Sequence, residues 1–398
     1  MSDPTVDVIV INWNSRQDTL ACLEAVEAQL PEVSGSMITV VDNGSTDGSI
    51  GAVAARHPNV RLLPLGENRG FTGGIAAALA RSRAESVVFL NNDAIPEPGW
   101  LAALSGALDR APKDVISIGG KIVDLSGQLI DFIGGAITFD GHAFQPGFRY
   151  PLTSRPGPAS GDEILFACGG NMISRREPFV RLGGFDDDYF AYLEDVDFGW
   201  RAWLSGYRVL YEPEALVRHA SSATSQRLGD FERGVLFERN ALQTSLKNFE
   251  NVSEAGGSLF FTFLHRLHHY ASSRNPRAAE LTRPPFASTA KTARRGLLAS
   301  LRRRFTDGEP LATIDDPLTV MQFRAFHWVT SNADRIASKR EAVQTRRTRS
   351  DREIFGKFPL YLVPTYPGDE TMMAGALFRM LLPQLPAVEK TLAEIISK

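Results

Sequence analysis

The sequence predicts an α/β fold in which a mostly parallel central sheet is flanked by helices, followed by a mainly helical carboxyl-terminal region. Over the first hundred residues, apolar β-branched runs alternate with segments of helical periodicity. These runs are continuously apolar, which is typical of strands buried on both faces of a parallel sheet. Three of them end in polar side chains, at the edge where open α/β sheets bind ligands.

The first strands and helices alternate in chain order, which is the pattern of parallel strands joined by crossover helices. The predicted strands are VDVIVIN (6–12), MITVVDN (37–43), NVRLLPL (59–65) and SVVFLNND (86–93). The predicted helices cover 17–30, about 47–56, Ile75 to about Arg83, and about 98–110.

The pattern changes after about residue 115, where short strands and glycine-rich turns follow one another. A connector rich in Pro, Gly and Ser covers residues 146–163. Further strands are predicted at 164–176 and 207–213, and further helices at 194–206, 229–250, 331–349 and about 369–396. We divide the chain into two regions, residues 1–225 and residues 226–398.

Composition excludes several classes of protein. The chain has 398 residues, is 43% hydrophobic and 22% charged, and carries a formal net charge of −3, which argues against a nucleic-acid binder. Its two cysteines, Cys22 and Cys168, form neither a metal-ligand cluster nor a disulfide framework, which favours a cytoplasmic protein. The amino terminus lacks the basic start of a signal peptide, and no apolar run reaches the roughly 18 residues of a membrane-spanning helix. Any membrane contact is therefore expected to be peripheral.

Polar residues end three of the predicted parallel strands. They are Asn12 to Asn14, Asp42-Asn43 and Asn91 to Asp93. Because these ends share one edge of the sheet, we expect the side chains to surround a single crevice. In FLNNDAIPEP (89–98), the carboxylate of Asp93 stands among amides, where it serves either as turn chemistry or as a ligand group.

Two loops in this region each have two open interpretations. Asp42, in VVDNGSTDGS, either accepts hydrogen bonds from a nucleoside or belongs to an Asx-turn before a helix N-cap. ENRGFTGG (67–74) either offers backbone N–H groups to an anion or is a tight turn into a helix. It matches neither dinucleotide-binding nor P-loop fingerprints.

Asp93 and His219 are the candidate ligands of a divalent cation. Mg²⁺ and Mn²⁺ prefer oxygen ligands and often share the phosphates of a substrate, so one carboxylate and one further side chain would suffice. The alternative is that His219 is an ordinary surface or core histidine.

An acidic and aromatic stretch, FDDDYFAYLEDVDFGWRAW (185–203), holds the candidate catalytic groups. On a helix starting near Leu193, Glu194 and Asp197 share a face and Asp195 points elsewhere. An acid among aromatic side chains is expected to have a raised pKa and to suit a general base. The alternative is capping, because acids are favoured at the amino end of a helix.

Together, these stretches in this order resemble glycosyltransferase family 2, which has the GT-A nucleotide-sugar-binding fold. The resemblance covers about residues 5–225 and is nearest to bacterial rhamnosyltransferase-like members, which build cell-envelope polysaccharides. The matching stretches are VIVINWNS (8–15), VVDNGSTDGS (40–49), ENRGFTGG (67–74), LNNDAIPEPGWL (90–101) and the segment from CGGNMISRR to ALVRH (168–219).

The resemblance implies roles for individual residues. Asp195 corresponds to the presumed catalytic base, and Glu194 supports it or contacts the acceptor. Asn91 replaces the first acid of the family's D-x-D element, and Asp93 and His219 would hold a Mg²⁺ or Mn²⁺ cofactor. The residues implied to bind the donor nucleotide are Asn12, Asn14, Asp42, Asn68, Gly70 and Asn92, and Gly169 and Gly170 are implied to flank the acceptor site. From the residues themselves, Trp200 is expected to contact the acceptor through its aromatic face, and Arg201 either contacts the acceptor or a phosphate or pairs with one of the neighbouring acids.

The implied reaction is inverting transfer of a sugar, such as rhamnose, from a dTDP- or UDP-sugar to a hydroxyl of a glycan or polyprenyl-linked acceptor. The absence of a Q-x-x-R-W element indicates single additions rather than processive synthesis. The rival interpretations are a non-catalytic nucleotide- or carbohydrate-binding protein on the same fold, and a nucleotide-dependent oxidoreductase that the missing glycine fingerprint disfavours.

The carboxyl-terminal region has a less definite pattern. Arg239 and Asn240, in the predicted helix 229–250, are expected to line the site. A flexible basic segment at about 272–308, with nine cations and one acid between residues 274 and 304, is either a solvated linker or a contact with an anionic membrane at the inner face of the plasma membrane. LFFTFLHRLHHY (259–270) is either an interface anchor or a packed helix, and the end of the chain is a candidate for oligomerisation.

Overall fold

A computed structural model of the chain describes residues 4–154, 157–220, 229–274, 316–391 and 393–394. Its first part has the predicted alternation of strands and helices. The elements are β1 (Val6–Asn12), α1 (Arg16–Glu27), β2 (Ser36–Asp42), α2 (Ser49–Arg56), β3 (Arg61–Pro64), α3 (Gly70–Leu79), β4 (Ser86–Asn91), β5 (Ala94–Pro96) and α4 (Trp100–Arg110).

The α3 helix begins at Gly70, five residues before the predicted start. Glycines 73 and 74, which suggested a turn, lie inside the helix, and a Cβ placed on Gly74 would approach Ile11 of β1 to 3.0 Å. The helix therefore packs closely against the sheet at Gly74. Tertiary packing outweighs the low helix propensity of glycine here.

The middle of the chain completes the sheet and covers one end of it. Its elements are β6 (Val115–Asp124), β7 (Ile130–Phe132), β8 (Ala136–Ile137), β9 (Ala143–Phe144), β10 (Asn171–Arg175), α5 (Arg176–Arg181), α6 (Glu194–Leu204) and β11 (Arg208–His219).

The central sheet has the order β3-β2-β1-β4-β10-β6-β11-β5, with β7 paired to β6. The first four strands are parallel, as predicted, but β10 is antiparallel to both β4 and β6, so the sheet as a whole is mixed. The reason is the route of the chain. After β6 ends at the carboxyl edge, the chain passes along β11, where the Ile164 N–H donates to the Val209 carbonyl near the start of that strand, and β10 then enters the sheet from the carboxyl edge.

Strand β11 is longer than predicted and continues beyond Pro213 to His219. Its register against β6 shifts between Glu212 and Leu216, and this bulge accommodates the proline inside a strand. The last residues of β11 pair with β5, with His219 opposite Ala94. The bulged strand thus places His219 opposite Ala94, the residue that follows Asp93 in the sequence.

The core lies on both faces of the sheet. Val8, Val10, Val88 and Phe89 are fully buried, which explains why β1 and β4 read as continuous apolar runs. The same apolar cluster extends to Phe249 and to other residues of the carboxyl-terminal region. The two regions therefore share one core, and the division at residues 225 and 226 stays a prediction.

The carboxyl-terminal region is mainly helical, as predicted. Its elements are α7 (Asp230–Asn248), α8 (Val252–Arg274), α9 (Pro317–Ser331), α10 (Ala333–Thr345), α11 (Asp351–Lys357), β12 (Leu360–Leu362), α12 (Asp369–Ala374), α13 (Ala376–Leu381) and β13 (Ala387–Glu389). The end of the chain is not the single helix predicted for about 369–396, because α12 stops at Gly375 and β13 pairs with β12 after Pro386.

Most of the basic segment predicted at about 272–308 lies outside the described residues, as do residues 221–228. Within the described residues, none of the helices combines the length and the apolar character needed to cross a membrane.

Candidate active site

The ends of β1, β2 and β4 are joined by side-chain hydrogen bonds. The Asn12 amide donates to Asp42 at 2.8 Å, and its oxygen accepts from Thr19 at 2.8 Å and from Asn92 at 3.4 Å. Asn12 and Asp42 are each 1% exposed, so they fix the loops rather than form the cavity wall. Asn14 has a positive φ of 51° and accepts from the Thr46 N–H at 2.7 Å.

The loop before α3 is tied to the same edge. The Asn68 carboxamide oxygen accepts from the Gly70 N–H at 2.9 Å, and the Asn43 amide donates to the Gly70 carbonyl at 2.9 Å. Gly70 has a φ of +71°, and a Cβ there would meet the Phe190 carbonyl oxygen at 2.3 Å. Gly70 is therefore required by a close contact with the 190 loop.

A cavity of about 450 Å³ opens at this edge of the sheet. It brings together both candidate acids, Asp93 and Asp195, although they lie a hundred residues apart in the sequence. Other predicted site residues in the wall are Asn68, Gly70, Asn92, Gly169, Gly170, Glu194 and His219. The residues predicted at the site thus meet largely in one place.

On one side of the cavity, His219 lies between two carboxylates. Its Nε2 is 3.0 Å from Asp93 Oδ1 and its Nδ1 is 2.9 Å from Asp131 Oδ2. Burial favours the neutral ring, but the hydrogen bonds and charges of the two carboxylates outweigh it and raise the pKa of His219 to about 10. Asn91 completes the group, with its amide 3.2 Å from Nε2.

This group has the donor atoms that a divalent cation uses. Asp93 offers a carboxylate and His219 an imidazole, and Asp131 would orient the ring from its other nitrogen. Within the described parts of the chain, however, no three His, Cys, Asp or Glu side chains are grouped as a ready metal-ion site. Asp93 and His219 therefore fit a cation only if further ligands, such as phosphate oxygens, come with the substrate.

The cavity is also lined by two acids at the start of α6. Asp195 accepts from the N–H groups of Gly169 at 2.9 Å and Val196 at 2.8 Å. Burial raises its pKa, and these backbone hydrogen bonds only partly offset the effect. Glu194 is 7% exposed, and burial together with the charge of Asp195 raises its pKa well above the usual range. Such a carboxyl titrates nearer neutral pH, as a general base requires.

Trp200 and Arg201, predicted to contact the acceptor, do not line the cavity. Trp200 is fully buried and packs edge-on against Phe249 and Phe355. Arg201 forms a buried ion pair with Asp197 at 2.8 Å and donates to two backbone carbonyls. Of α6, only Glu194, Asp195 and Val196 at its start line the cavity, and the rest of the helix, which includes Trp200 and Arg201, is buried.

Arg239 and Asn240 also lie behind the wall, where they donate to carbonyls of the loop that precedes α6. Several wall residues are not among the predicted site residues, although Trp13 lies in a stretch that resembles the family and Phe237 in a predicted helix. Asp131 was overlooked within a run of short strands, although an acid beside an apolar strand was a usable signal. The others include Trp13, Phe144, Gln145, Phe148 and Phe237.

The parallel strand ends and the two carboxylate groups that line one cavity agree with the GT-A glycosyltransferase expected from the sequence. The family model of glycosyl transferase family 2 matches residues 7–183. An N-acetylglucosaminyl-diphospho-decaprenol L-rhamnosyltransferase of Mycobacterium tuberculosis is 31% identical over 211 residues, which are 48% of this chain and 68% of that protein. The chain belongs to glycosyltransferase family 2 and is a glycosyltransferase.

Further relatives are more distant. A pre-mycofactocin glycosyltransferase of the same organism is 28% identical over 46% of this chain and 37% of its own length. Among solved structures, a mannosyltransferase of Pyrobaculum calidifontis in complex with GDP-Man and Mn²⁺ is 19% identical, covers 84% of this chain and 88% of its own, and has a TM-score of 0.43. That score is too low to bear on the site.

Proposed function

We propose that the protein is an inverting transferase that moves a sugar from a nucleotide-diphosphate donor to a hydroxyl of a cell-envelope glycan. One observation carries the proposal: Asp93 and Asp195 line the same cavity. A candidate cation-binding group and a titratable acid in one cavity suit a direct displacement, in which the leaving diphosphate and the attacking hydroxyl lie on opposite sides of the sugar.

Asp195 is the proposed base. Each carboxylate oxygen has two lone pairs, so an Asp195 oxygen that accepts a hydrogen bond from one backbone N–H can accept a second one from the hydroxyl of the acceptor substrate. The carboxylate takes the proton of the acceptor hydroxyl while the hydroxyl oxygen bonds to the anomeric carbon. At the same time the bond between that carbon and the diphosphate oxygen breaks, the nucleoside diphosphate leaves with the bonding electrons, and the configuration is inverted. Glu194, beside it, supports the base or contacts the acceptor.

Asp93 and His219 are proposed to lie at the donor diphosphate. A divalent cation bound by these residues and the phosphates would supply Lewis-acid stabilisation of the leaving group. Asp131 holds the His219 ring in position. The buried amides of Asn12 and Asn92, with Asp42, fix the nucleotide end of the cavity, and Asn14, Asn68 and Gly70 belong to the loops around it.

The rhamnosyltransferase relative suggests the substrates. We propose a dTDP- or UDP-sugar, with dTDP-rhamnose as the first donor to test, and a lipid-linked glycan as the acceptor. A cytoplasmic location, contact with the inner face of the plasma membrane and oligomerisation stay predictions.

The test is release of free nucleotide diphosphate from a panel of dTDP-, UDP- and GDP-sugars, with an N-acetylglucosaminyl-diphospho-polyprenol acceptor and Mn²⁺. We expect release with one donor, dependent on acceptor and abolished by EDTA. The alternative, a binding protein that lost its chemistry, predicts thermal stabilisation by a nucleotide-sugar without release. Acceptor-independent or EDTA-resistant release would contradict the proposed roles.

A further inference from the structure

The loop before α6 has an unusual backbone. Phe190, Tyr192 and Leu193 have φ values of 63°, 70° and 63°, in a region that residues other than glycine rarely adopt. Leu193 directly precedes Glu194 and Asp195, so the backbone here sets the direction in which these two acids enter the cavity. A backbone in such conformations persists only where its surroundings hold it.

Asn240 of α7 supplies much of that hold. Its side-chain amide is fully buried and donates to the carbonyls of Tyr189 at 3.1 Å, Ala191 at 2.9 Å and Tyr192 at 2.7 Å. Its oxygen accepts from Gln243 at 3.0 Å, which directs the NH₂ group toward the loop. The two N–H bonds of one side chain therefore serve three carbonyls within residues 189–192, and one N–H is shared between two of them.

Neighbouring residues of α7 reinforce the same contact. Arg239 donates to the carbonyls of Asp188 and Tyr189 at 2.7 and 2.9 Å, and its guanidinium lies over the ring of Trp328. Phe237 stacks on Tyr192, with ring centroids 4.7 Å apart and planes at 25°, and both rings line the cavity.

The opposite side of the loop rests on the donor half of the site. The Thr72 N–H donates to the Phe190 carbonyl at 3.2 Å, and Gly70 leaves room for the Phe190 ring. The loop is thus held between α3, which belongs to the region matched by the family model, and α7, which lies beyond it.

We propose that Asn240, assisted by Arg239, is a positioning residue for transfer: it holds the 188–193 loop so that Asp195 and the faces of Phe190 and Tyr192 meet the acceptor. The inference rests on the proposed function. It assigns to α7 the completion of the acceptor side, and it separates that role from donor binding, which depends on the strand ends.

The test compares Asn240→Ala and Asn240→Asp with wild type. Asn240→Asp keeps the shape but replaces the donating NH₂ with an acceptor, so it distinguishes hydrogen bonding from space filling. We expect kcat for transfer to fall about tenfold to a hundredfold in both variants, because small displacements of a reacting group have effects of this size. The affinity for the nucleotide-sugar should stay within about twofold of wild type.

Hydrogen exchange gives a readout independent of activity. The amide of Asp197 bonds to the Leu193 carbonyl and that of Thr72 to Phe190, so both should exchange faster in the variants while the amides of β1 stay protected. If no donor supports transfer by the wild type, this measurement still decides whether α7 holds the loop. If hydrogen exchange becomes faster in the variants but the wild type transfers no sugar, the proposed function is refuted, whereas the role of Asn240 in holding the loop is supported.

Gln29→Ala is the matched control. Gln29 is also a buried amide, 4% exposed, with side-chain bonds to backbone groups of Ala25 and Leu101, but it lies outside the cavity wall. It should lower the melting temperature without changing kcat by more than about twofold. Should Asn240→Ala fail to fold, Arg239→Met removes two of the loop bonds and should show the same split to a smaller degree. The proposal would be overturned if the Asn240 variants kept the kcat and the hydrogen-exchange rates of the wild type. It would also be overturned if Gln29→Ala lowered kcat as much as they do.

Discussion

The two walls of the cavity differ in whether a cationic side chain balances the negative charge of their carboxylates. On the wall that we propose for the donor (the donor wall), Asp93 lies 3.0 Å from His219, and the ring is held from its other side by Asp131. On the wall that we propose for the acceptor (the acceptor wall), no Lys, Arg or His among the described residues forms an ion pair with Glu194 or Asp195. One carboxylate oxygen of Glu194 is buried and has no hydrogen-bond partner among the described residues.

The difference shows how one fold separates two chemical tasks. At Asp93, release of the His219 proton would leave an imidazole beside a carboxylate, which is a donor set for a divalent cation, whereas the buried carboxyls of Glu194 and Asp195 have raised pKa values and are suited to exchange a proton. Asp197, one helical turn away, confirms the role of the surroundings, because Arg201 and Lys247 outweigh its burial and hold its pKa below the usual range.

The largest expected effect is that of Asp195→Asn, which removes the proposed base with little change in shape. We expect kcat to fall by about 10² to 10⁴, the range for loss of a general base, with donor affinity nearly unchanged. The measurement is acceptor-dependent nucleotide release. In the wild type the rate should rise with pH through the raised pKa of the acceptor-wall acids, since the ionised form is active.

Asp187→Asn is the control for this substitution. Asp187 belongs to the same acidic stretch but is exposed and lies outside the cavity wall. It should keep the rate and the pH profile of the wild type. Near-normal turnover of Asp195→Asn would remove Asp195 from the mechanism and leave Glu194 as the candidate.

An intermediate effect is expected on the donor wall. Asp131→Asn retains a side chain that can bond to His219 but removes a charge, and loss of such an orienting carboxylate typically costs about 10- to 100-fold in metal affinity. Asp93→Ala should cost at least as much, because it removes a ligand. The measurement is the Mn²⁺ concentration that gives half-maximal activity. An unchanged metal requirement in both variants would show that the cation, if used, binds elsewhere.

The smallest expected effect is on stability. Glu194 is buried with a raised pKa, so the unfolded chain loses a proton above the ordinary value of 4.5 while the folded protein still holds it, and stability falls as pH rises through the folded pKa. Glu194→Gln removes this loss. The melting temperature at pH 7 should rise by a few degrees, since 1 kcal/mol corresponds to about 2–4 °C in a domain of 150–250 residues. The gain should vanish near pH 4, and a lower melting temperature at pH 7 would contradict it.

Much of the site was predictable because it follows strands with a strong pattern. The continuous apolar runs of β1 and β4 gave both the strands and the position of the polar residues after them. Trp200 and Arg201 were misplaced because spacing along a helix does not show which face meets the core. Asp131 was missed because the short strands around it have no period from which a register could be inferred.

The sequence alone determined the parallel half of the sheet, the family and the edge where the polar strand ends gather, because these depend on local pattern and on the geometry of parallel strands. Only the tertiary structure decided which acids share the cavity, that β10 runs antiparallel, and that α7 holds the loop before Asp195. The physical reason is that Asn240 bonds to backbone carbonyls about fifty residues away in the sequence. Every residue has such a carbonyl whatever its side chain, so these bonds produce no pattern in the sequence.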